Sequence, residues 1–468
     1  MIDCAMISVP PLTINGPHIG PALLKSFAES KGFKVTCFNP SLDFFESIDE
    51  EDQDSWPFNE FDEAFCIKYD LDTHIQLWID KWLATNPRMI GLSTHVWASK
   101  YFLYKICKHL RQRTDLPIIL GGPATIELGK DIHKEGLVDY YIVGDGEEAF
   151  LQMLQGQFDH PSINTNKPHA VSNELFAELP EPDYSDIDFA RYKELDPKQN
   201  RVFLIGTRGC VFDCSFCNVP ALMKYRFKDG VKFAHEVKNT QKKYNPEWIE
   251  FADSLINGSL REYRKMISTL AELNAQEPET KPKIVAFYRI RPFNQTREED
   301  FKLMADSGFY RLKIGVESGS QEVRTHIGKT ETDEEILYTF EMCRKYGIRI
   351  NLLIIVGYPT ETLADFEKTM DMLRMINAKG FTDVVDRAVV NELYISTDTG
   401  LHKQIEELEI QDAETNTKWK RILPNGEVLD DKERKRRLLI AINYIKKHFS
   451  GKIMVFSDSD TSMEDMEA

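Results

Sequence analysis

The chain has 468 residues, 42% of them hydrophobic, and a formal net charge of −17. That is enough apolar content for a substantial core, and at roughly 100–200 residues per domain it predicts two to four domains. The acidic balance argues against long nucleic acid as a partner, since polyphosphate is repelled wherever no local basic groove intervenes. No apolar run approaches the ~18 residues of a membrane span. The start, Met1-Ile2-Asp3-Cys4, lacks the basic and apolar regions of a secretion signal, so a cytoplasmic location is expected. In a reducing compartment the eight cysteines are free, catalytic or metal-bound and not a disulfide framework.

Residues 2–9 form an apolar run suited to a buried strand. Leu23, Leu24, Phe27 and Ala28 mark a helix face within 19–31. Further strands are predicted at 34–38, 89–93, 116–120 and 139–143. A helix bearing Ala98, Phe102, Ile106 and Leu110 follows the third. Small and polar residues gather where these strands end: Ser93-Thr94, Gly121-Gly122-Pro123 and Gly144-Asp145-Gly146-Glu147. Repeated strand–helix units imply a parallel sheet covered on both faces, which binds ligands beyond the carboxyl ends of its strands. An acidic, aromatic insertion at 39–72 interrupts the pattern and suggests no role. From 157 to 199 prolines at 161, 168, 180, 182 and 197 break the periodicity, and a linker is expected.

A second alternating series follows. Strands at 202–206, 248–252, 284–289, 311–316, 348–356 and 384–394 alternate with helices at 233–243, 260–273, 298–306, 333–346 and 363–376. Six repeats suggest a partial or complete barrel of parallel strands, with chemistry at the strand carboxyl ends. Beyond 394 the signal weakens to one helix at 430–448, whose basic run at 432–437 reads as a solvated face. The acidic segment 457–468 is expected to be disordered.

Three of the eight cysteines fall within eight residues, Cys210-Val211-Phe212-Asp213-Cys214-Ser215-Phe216-Cys217, directly after the first strand of this series. Thiolates are soft ligands for zinc or an iron–sulfur cluster. Zinc sites usually close with four ligands, often as paired motifs, and no second Cys or His pair follows. Three ligands on a four-iron cluster leave one iron open to a substrate. Cys107 and Cys343 lie on apolar helix faces, and Cys4 and Cys37 in predicted buried strands, so these read as core.

The C-x3-C-x2-C spacing, with Phe216 before the third cysteine, resembles the radical S-adenosylmethionine (radical SAM) superfamily. The resemblance implies that Cys210, Cys214 and Cys217 hold a [4Fe-4S] cluster whose open iron takes S-adenosylmethionine, and that one electron cleaves the sulfonium to a 5′-deoxyadenosyl radical. It implies a small-molecule substrate and a reducing partner such as flavodoxin or ferredoxin. Three further segments look like family motifs. Asp253, after Trp248-Ile249-Glu250-Phe251-Ala252, would help hold the methionine amino group. Gly315-Val316-Glu317-Ser318-Gly319-Ser320 would bring Glu317 and Ser318 to the ribose and methionine. Val356-Gly357-Tyr358-Pro359-Thr360-Glu361 would set Gly357 beside adenine.

The first 195 residues resemble the cobalamin-binding domain that precedes some radical SAM barrels. The implied fold is α/β: a flavodoxin-like (Rossmann-like), doubly wound domain at 1–156, a linker at 157–195, a partial (β/α)6 barrel at 196–400, and a small, mainly helical, substrate-shaping region at 401–456. Ser93, Thr94, Gly121, Gly122, Pro123, Gly144 and Glu147 would line the cobalamin, with His95 and Trp97 near its edge. Cobalamin mutases carry D-x-H-x-x-G with the His on cobalt. Here His18 lies between Gly16 and Pro21 where Asp and Gly would be needed, so no protein imidazole is expected on the cobalt. The resemblance implies methylation of an unreactive carbon. Radical ring closure or rearrangement without methyl transfer, and a non-catalytic metal-binding or redox-sensing protein, are the alternatives.

Overall fold

The computed structural model describes residues 1–454 except 12–13, 55, 57–60, 96–98, 196–197, 199 and 414–417. Two compact units emerge. One holds Met1–Ile205 with Tyr244–Ala252; the other holds Gly206–Lys243 and the described chain from Asp253 onward.

In the first unit, β1 (Ile2–Ser8), β2 (Val35–Phe38), β3 (Pro87–Ser93), β4 (Ile118–Gly121) and β5 (Tyr140–Tyr141) form a parallel sheet in the order β2-β1-β3-β4-β5. The period-2 alternation of each strand decides which core a side chain enters. Ala5, Ile7, Ile90, Leu92, Ile118 and Leu120 pack on one face with Trp82, Phe102 and Ile106. Cys4, Met6, Val35, Met89 and Ile119 pack on the other with Phe150 and Met153. Burial on both faces explains why these strands read as nearly continuous apolar runs. The strand order reverses between β1 and β3, which makes the carboxyl ends of those strands the expected ligand crevice.

The expected fifth strand contracts to Tyr140–Tyr141. Its continuation pairs with later chain: Ile142 bridges Ile163, Gly144 bridges His169, and the Val143 N–H donates to Ser162 O at 3.1 Å. The insertion supplies core. Phe44 and Trp56 are buried beside Phe102, on the short helix Ser41–Phe45 and the chain after it. The segment expected as a linker holds helices Asn173–Glu178 and Phe189–Leu195 and buries Phe176, Tyr184 and Tyr192. Ala98 and Trp97 lie outside the described residues, and the helix after β3 runs Lys100–Arg113.

Four strands follow in the chain: β6 (Arg201–Leu204), β7 (Thr207–Arg208), β8 (Arg226–Phe227) and β9 (Trp248–Phe251). β6 and β9 pair in parallel within the first unit, and β7 and β8 pair antiparallel within the second. The second unit then places β10 (Ile284–Phe287), β11 (Phe309–Glu317), β12 (Arg349–Val356) and β13 (Val385–Glu392) side by side and parallel. Helices Leu260–Gln276, Glu298–Ser307, Asp333–Lys345 and Leu363–Ala378 alternate with these strands. Thr332 and Thr362 open the last two with reciprocal capping boxes, which satisfy N–H groups a helix start leaves free.

The C-terminal region is less helical than expected. Besides the helix Asp431–His448 it contains an antiparallel pair, β14 (Arg421–Ile422) and β15 (Val428–Leu429), and β16 (Lys452–Met454), which adds in parallel beside β13. Nor is the basic run at 432–437 simply a solvated face. Arg434 and Arg437 are buried, Arg434 over the Trp419 ring at 4.0 Å and Arg437 against Glu361 at 2.8 Å. Helical periodicity brought two of the basic side chains inward, where partners distant in sequence receive them. Residues 457–468 lie outside the described residues. No helix among the described residues is long and apolar enough to cross a membrane.

Candidate active site

The cysteine loop leaves the short ladder of β7 and β8. Cys210, Cys214 and Cys217 are partly exposed, whereas Cys4, Cys37, Cys66, Cys107 and Cys343 are all buried. Burial pushes the Cys4, Cys66 and Cys107 thiols up to about 12, so these stay protonated and inert. Burial also raises Cys214 and Cys217, but Lys329 and Arg289 pull Cys214 back toward the thiolate.

The loop is held at several points within the second unit. The Cys217 N–H donates to Cys214 O at 2.9 Å. Between them, the Ser215 N–H donates to Ile327 O (2.8 Å) and Ser215 O accepts from the Leu401 N–H (2.6 Å). The hydroxyls of Ser215 and Tyr358 lie 2.8 Å apart. Tyr358 therefore links the segment after β12, with Gly357, to the cysteine loop. Phe216 and Cys214 pack against the apolar cluster of Ile327, Tyr358, Leu401 and Trp419.

Arg289, just beyond β10, contacts this loop directly. It donates to Cys214 Sγ at 3.4 Å, to Gly328 O at 3.0 Å and to Glu331 Oε1 at 2.7 Å. Its guanidinium lies 3.8 Å from the centre of the Phe212 ring, and that of Arg291 lies 4.7 Å from it. Nothing in local sequence pattern marks Arg289 or Tyr358 as neighbours of Cys214; a general expectation of cations near thiolates was the available signal.

Asp253 is 2% exposed, and its Oδ2 accepts from the Gly206 N–H at 3.0 Å, so it ties down the start of the loop. Its Oδ1 is buried with no hydrogen-bond partner among the described residues. Burial raises the carboxyl to about 6, against the stabilising hydroxyl and N–H of Thr207 and the Gly206 N–H. Glu317, at the end of β11, takes a left-handed backbone (φ 66°) and pairs with Lys329 at 2.9 Å. Ser318 is fully buried, its hydroxyl 3.2 Å from that of Thr369 and accepting from the Ser320 N–H at 3.1 Å. The Gly357 N–H donates to Glu361 Oε1 at 3.0 Å, and Arg437 holds the same oxygen.

In the first unit, Ser93, Thr94, Gly121, Gly122 and Pro123 lie at the carboxyl ends of β3 and β4. A side chain at Gly121 would meet nothing within 4 Å, while one at Gly122 would come 2.2 Å from Thr94 O. Gly121 thus faces open space, and Gly122 is required by the packing of the chain on itself. The Thr94 hydroxyl donates to Gly121 O at 3.1 Å. Gly144 is bridged to His169, and Glu147, 1% exposed, opens the helix Glu147–Leu154. His18 and His95, following β1 and β3, meet edge to face with ring centroids 4.1 Å apart. Burial, with a smaller contribution from His95, lowers His18 to about 3, so it is neutral.

Residues 204–373 match the model of the Radical SAM superfamily. The chain therefore carries a radical SAM domain, and this domain contains the cysteine loop. An uncharacterized methyltransferase of Pyrococcus horikoshii is 22% identical over 310 residues, covering 62% of this chain and 65% of its own length. This chain thus spans just under two thirds of that relative. Cytidylyl-2-hydroxyethylphosphonate methyltransferase of Streptomyces wedmorensis is 23% identical over 192 residues, covering 39% of this chain and 34% of that protein. Among solved structures, the radical SAM methyltransferase TsrM of Kitasatospora setae, with tryptophan and a SAM analogue bound, superposes with a TM-score of 0.68 at 14% identity. The match covers 99% of this chain and 93% of that one. The cobalamin-dependent radical SAM enzyme OxsB, with aqua-cobalamin and SAM bound, superposes with a TM-score of 0.67 at 16% identity, covering 95% and 67%. At such identities the likeness is one of fold.

Proposed function

We propose that this protein is a cobalamin-dependent radical SAM enzyme that methylates an unactivated carbon of a small-molecule substrate. The observation that carries the reading is the sorting of the cysteines: the only three that are partly exposed share one loop, inside the matched radical SAM domain. Three partly exposed thiols on one loop, with the other five cysteines buried, suit a [4Fe-4S] cluster with one open iron. When bound, the cluster supplies the electron that cleaves S-adenosylmethionine, and cobalamin supplies methyl-group transfer.

The residues then divide the work. Cys210, Cys214 and Cys217 hold the cluster. Arg289 favours the thiolate at Cys214 through a charge-assisted N–H···S contact. Asp253 anchors the loop through one oxygen and offers the other, buried and unpartnered, as acceptor for the methionine ammonium. Glu317, Ser318, Gly357 and Phe216 border the S-adenosylmethionine site, and Tyr358 holds the loop in register with them. In the first unit the exposed turn at Gly121-Gly122-Pro123, with Ser93, Thr94, Gly144 and Glu147, receives cobalamin at the switch point of the sheet. His18, neutral and packed against His95, is not assigned to the cobalt.

The domain reading is a cobalamin domain at 1–156, a connecting segment at 157–195 that packs within the first unit, a partial (β/α)6 barrel at 196–400 and a substrate-shaping region at 401–456, with electrons from a flavodoxin or ferredoxin. The test is anaerobic reconstitution with iron, sulfide and hydroxocobalamin, followed by product analysis. Formation of 5′-deoxyadenosine together with S-adenosylhomocysteine is expected. 5′-Deoxyadenosine alone would replace methylation by ring closure or rearrangement, and neither product would defeat the proposal.

A further inference from the structure

We propose that Glu148, His160 and His169 form a binding site for one Zn²⁺ ion in the first unit, separate from the cysteine loop. One ligand atom of each residue lies within 4.8 Å of those of the other two. His169 Nε2 is 3.1 Å from Glu148 Oε2, and the rings of His160 and His169 meet edge to face with centroids 4.7 Å apart.

The fold builds this cluster from two segments laid together. Glu148 sits in the first turn of the helix Glu147–Leu154. The His169 N–H donates to Val143 O at 3.1 Å, and His169 O accepts from the Asp145 N–H at 2.8 Å, which fixes His169 beside the start of that helix. Gly144 permits the approach: a side chain there would come 2.2 Å from His169 O. His160 is 8% exposed, and the buried Ser162 hydroxyl lies 2.7 Å from its Nδ1. The Ser162 N–H donates to the same Nδ1 at 3.2 Å, so this nitrogen accepts in the ion-free protein; an ion on Nε2 moves the ring proton to Nδ1, which then donates to the Ser162 hydroxyl. Two imidazoles and a carboxylate are a zinc donor set with a fourth position for water. A bound ion would clip residues 160–169 to the helix that follows Gly144-Asp145-Gly146-Glu147. A Glu148–His169 hydrogen bond beside a packed ring, with no ion, is the competing account.

The full chain is prepared as C210A/C214A/C217A, so that no loop thiolate takes zinc, and titrated with Zn²⁺ and, for spectroscopy, Co²⁺. One equivalent bound, with visible Co²⁺ bands of four- or five-coordinate intensity, is expected. H160Q/H169Q in this background should weaken affinity by at least about 100-fold, since even outer partners of ligands are worth about 10–100-fold. Less than one tenth of an equivalent in the parent, or equal affinity in the variant, overturns the site. Should the double variant fail to fold by circular dichroism, E148Q, at a half-exposed position, decides: a loss of at least about 10-fold supports the site and unchanged affinity overturns it.

Discussion

Replacing Arg289 with methionine tests the support of the cysteine loop. The Arg289–Glu331 pair is 2.7 Å long, with side chains only 9% and 6% exposed. Methionine keeps much of the stem and removes the cation, leaving the Glu331 carboxylate buried without it. Removing one partner of a buried pair costs about 3–5 kcal/mol. The lost contacts to Gly328 O, Cys214 and the Phe212 ring belong to the same group, so their contributions overlap and do not add. At about 2–4 °C per kcal/mol for a domain of 150–250 residues, the variant should melt roughly 6–20 °C lower. In R289M/E331M no charge is stranded, and replacing a buried pair by apolar groups is often nearly neutral, so most of the loss should return. Scanning fluorimetry of the iron-free protein compares the three. A loss under about 2 °C in R289M, or a double variant no more stable than the single, refutes the reasoning.

Each of C210A, C214A and C217A should abolish reconstituted cluster absorbance and 5′-deoxyadenosine formation, whereas C343A, in the buried set, should leave iron loading intact. Asp253, with its carboxyl raised to about 6, contributes a pH dependence of defined sign. Between pH ~4 and ~6 the unfolded state sheds this proton first, so the group favours folding at low pH and that contribution falls as pH rises through ~6. The stability of wild type relative to D253N should therefore drop by about 2–3 kcal/mol across that window, measured as midpoints against pH; a flat difference contradicts the assignment. G357A should cost more than the roughly 1–3 kcal/mol of left-handed strain. Its Cβ would also meet Arg434 Cγ at 2.4 Å, while G347A, at φ 71° with nothing within 4 Å, pays strain alone. Equal urea midpoints for these two would show that Arg434 yields freely.

Sequence periodicity located the main strands and helices because each strand–helix unit is a local pattern: alternation splits β1 into two cores, and helical spacing lays Phe102, Ile106 and Leu110 on one face. It failed where pairing is a competition between distant segments. Tyr140–Tyr141 is short because residues 142–144 bond to 162–169, and β16 exists only because its three residues meet β13. The inward turn of Arg434 and Arg437 was hidden for the same reason, since Trp419 and Glu361 are their partners.

What the amino-acid order determined alone is the cysteine loop: ligands within eight residues need only one turn of chain to converge, so spacing is sufficient evidence of shared chemistry. The tertiary structure decided which groups surround it. Arg289, Tyr358 and Asp253 come 36 or more residues from the nearest cysteine of that loop, and Glu148, His160 and His169 gather across 21 residues. Bringing such side chains together costs chain entropy that only sheet pairing and core burial offset, and neither is a local property of sequence.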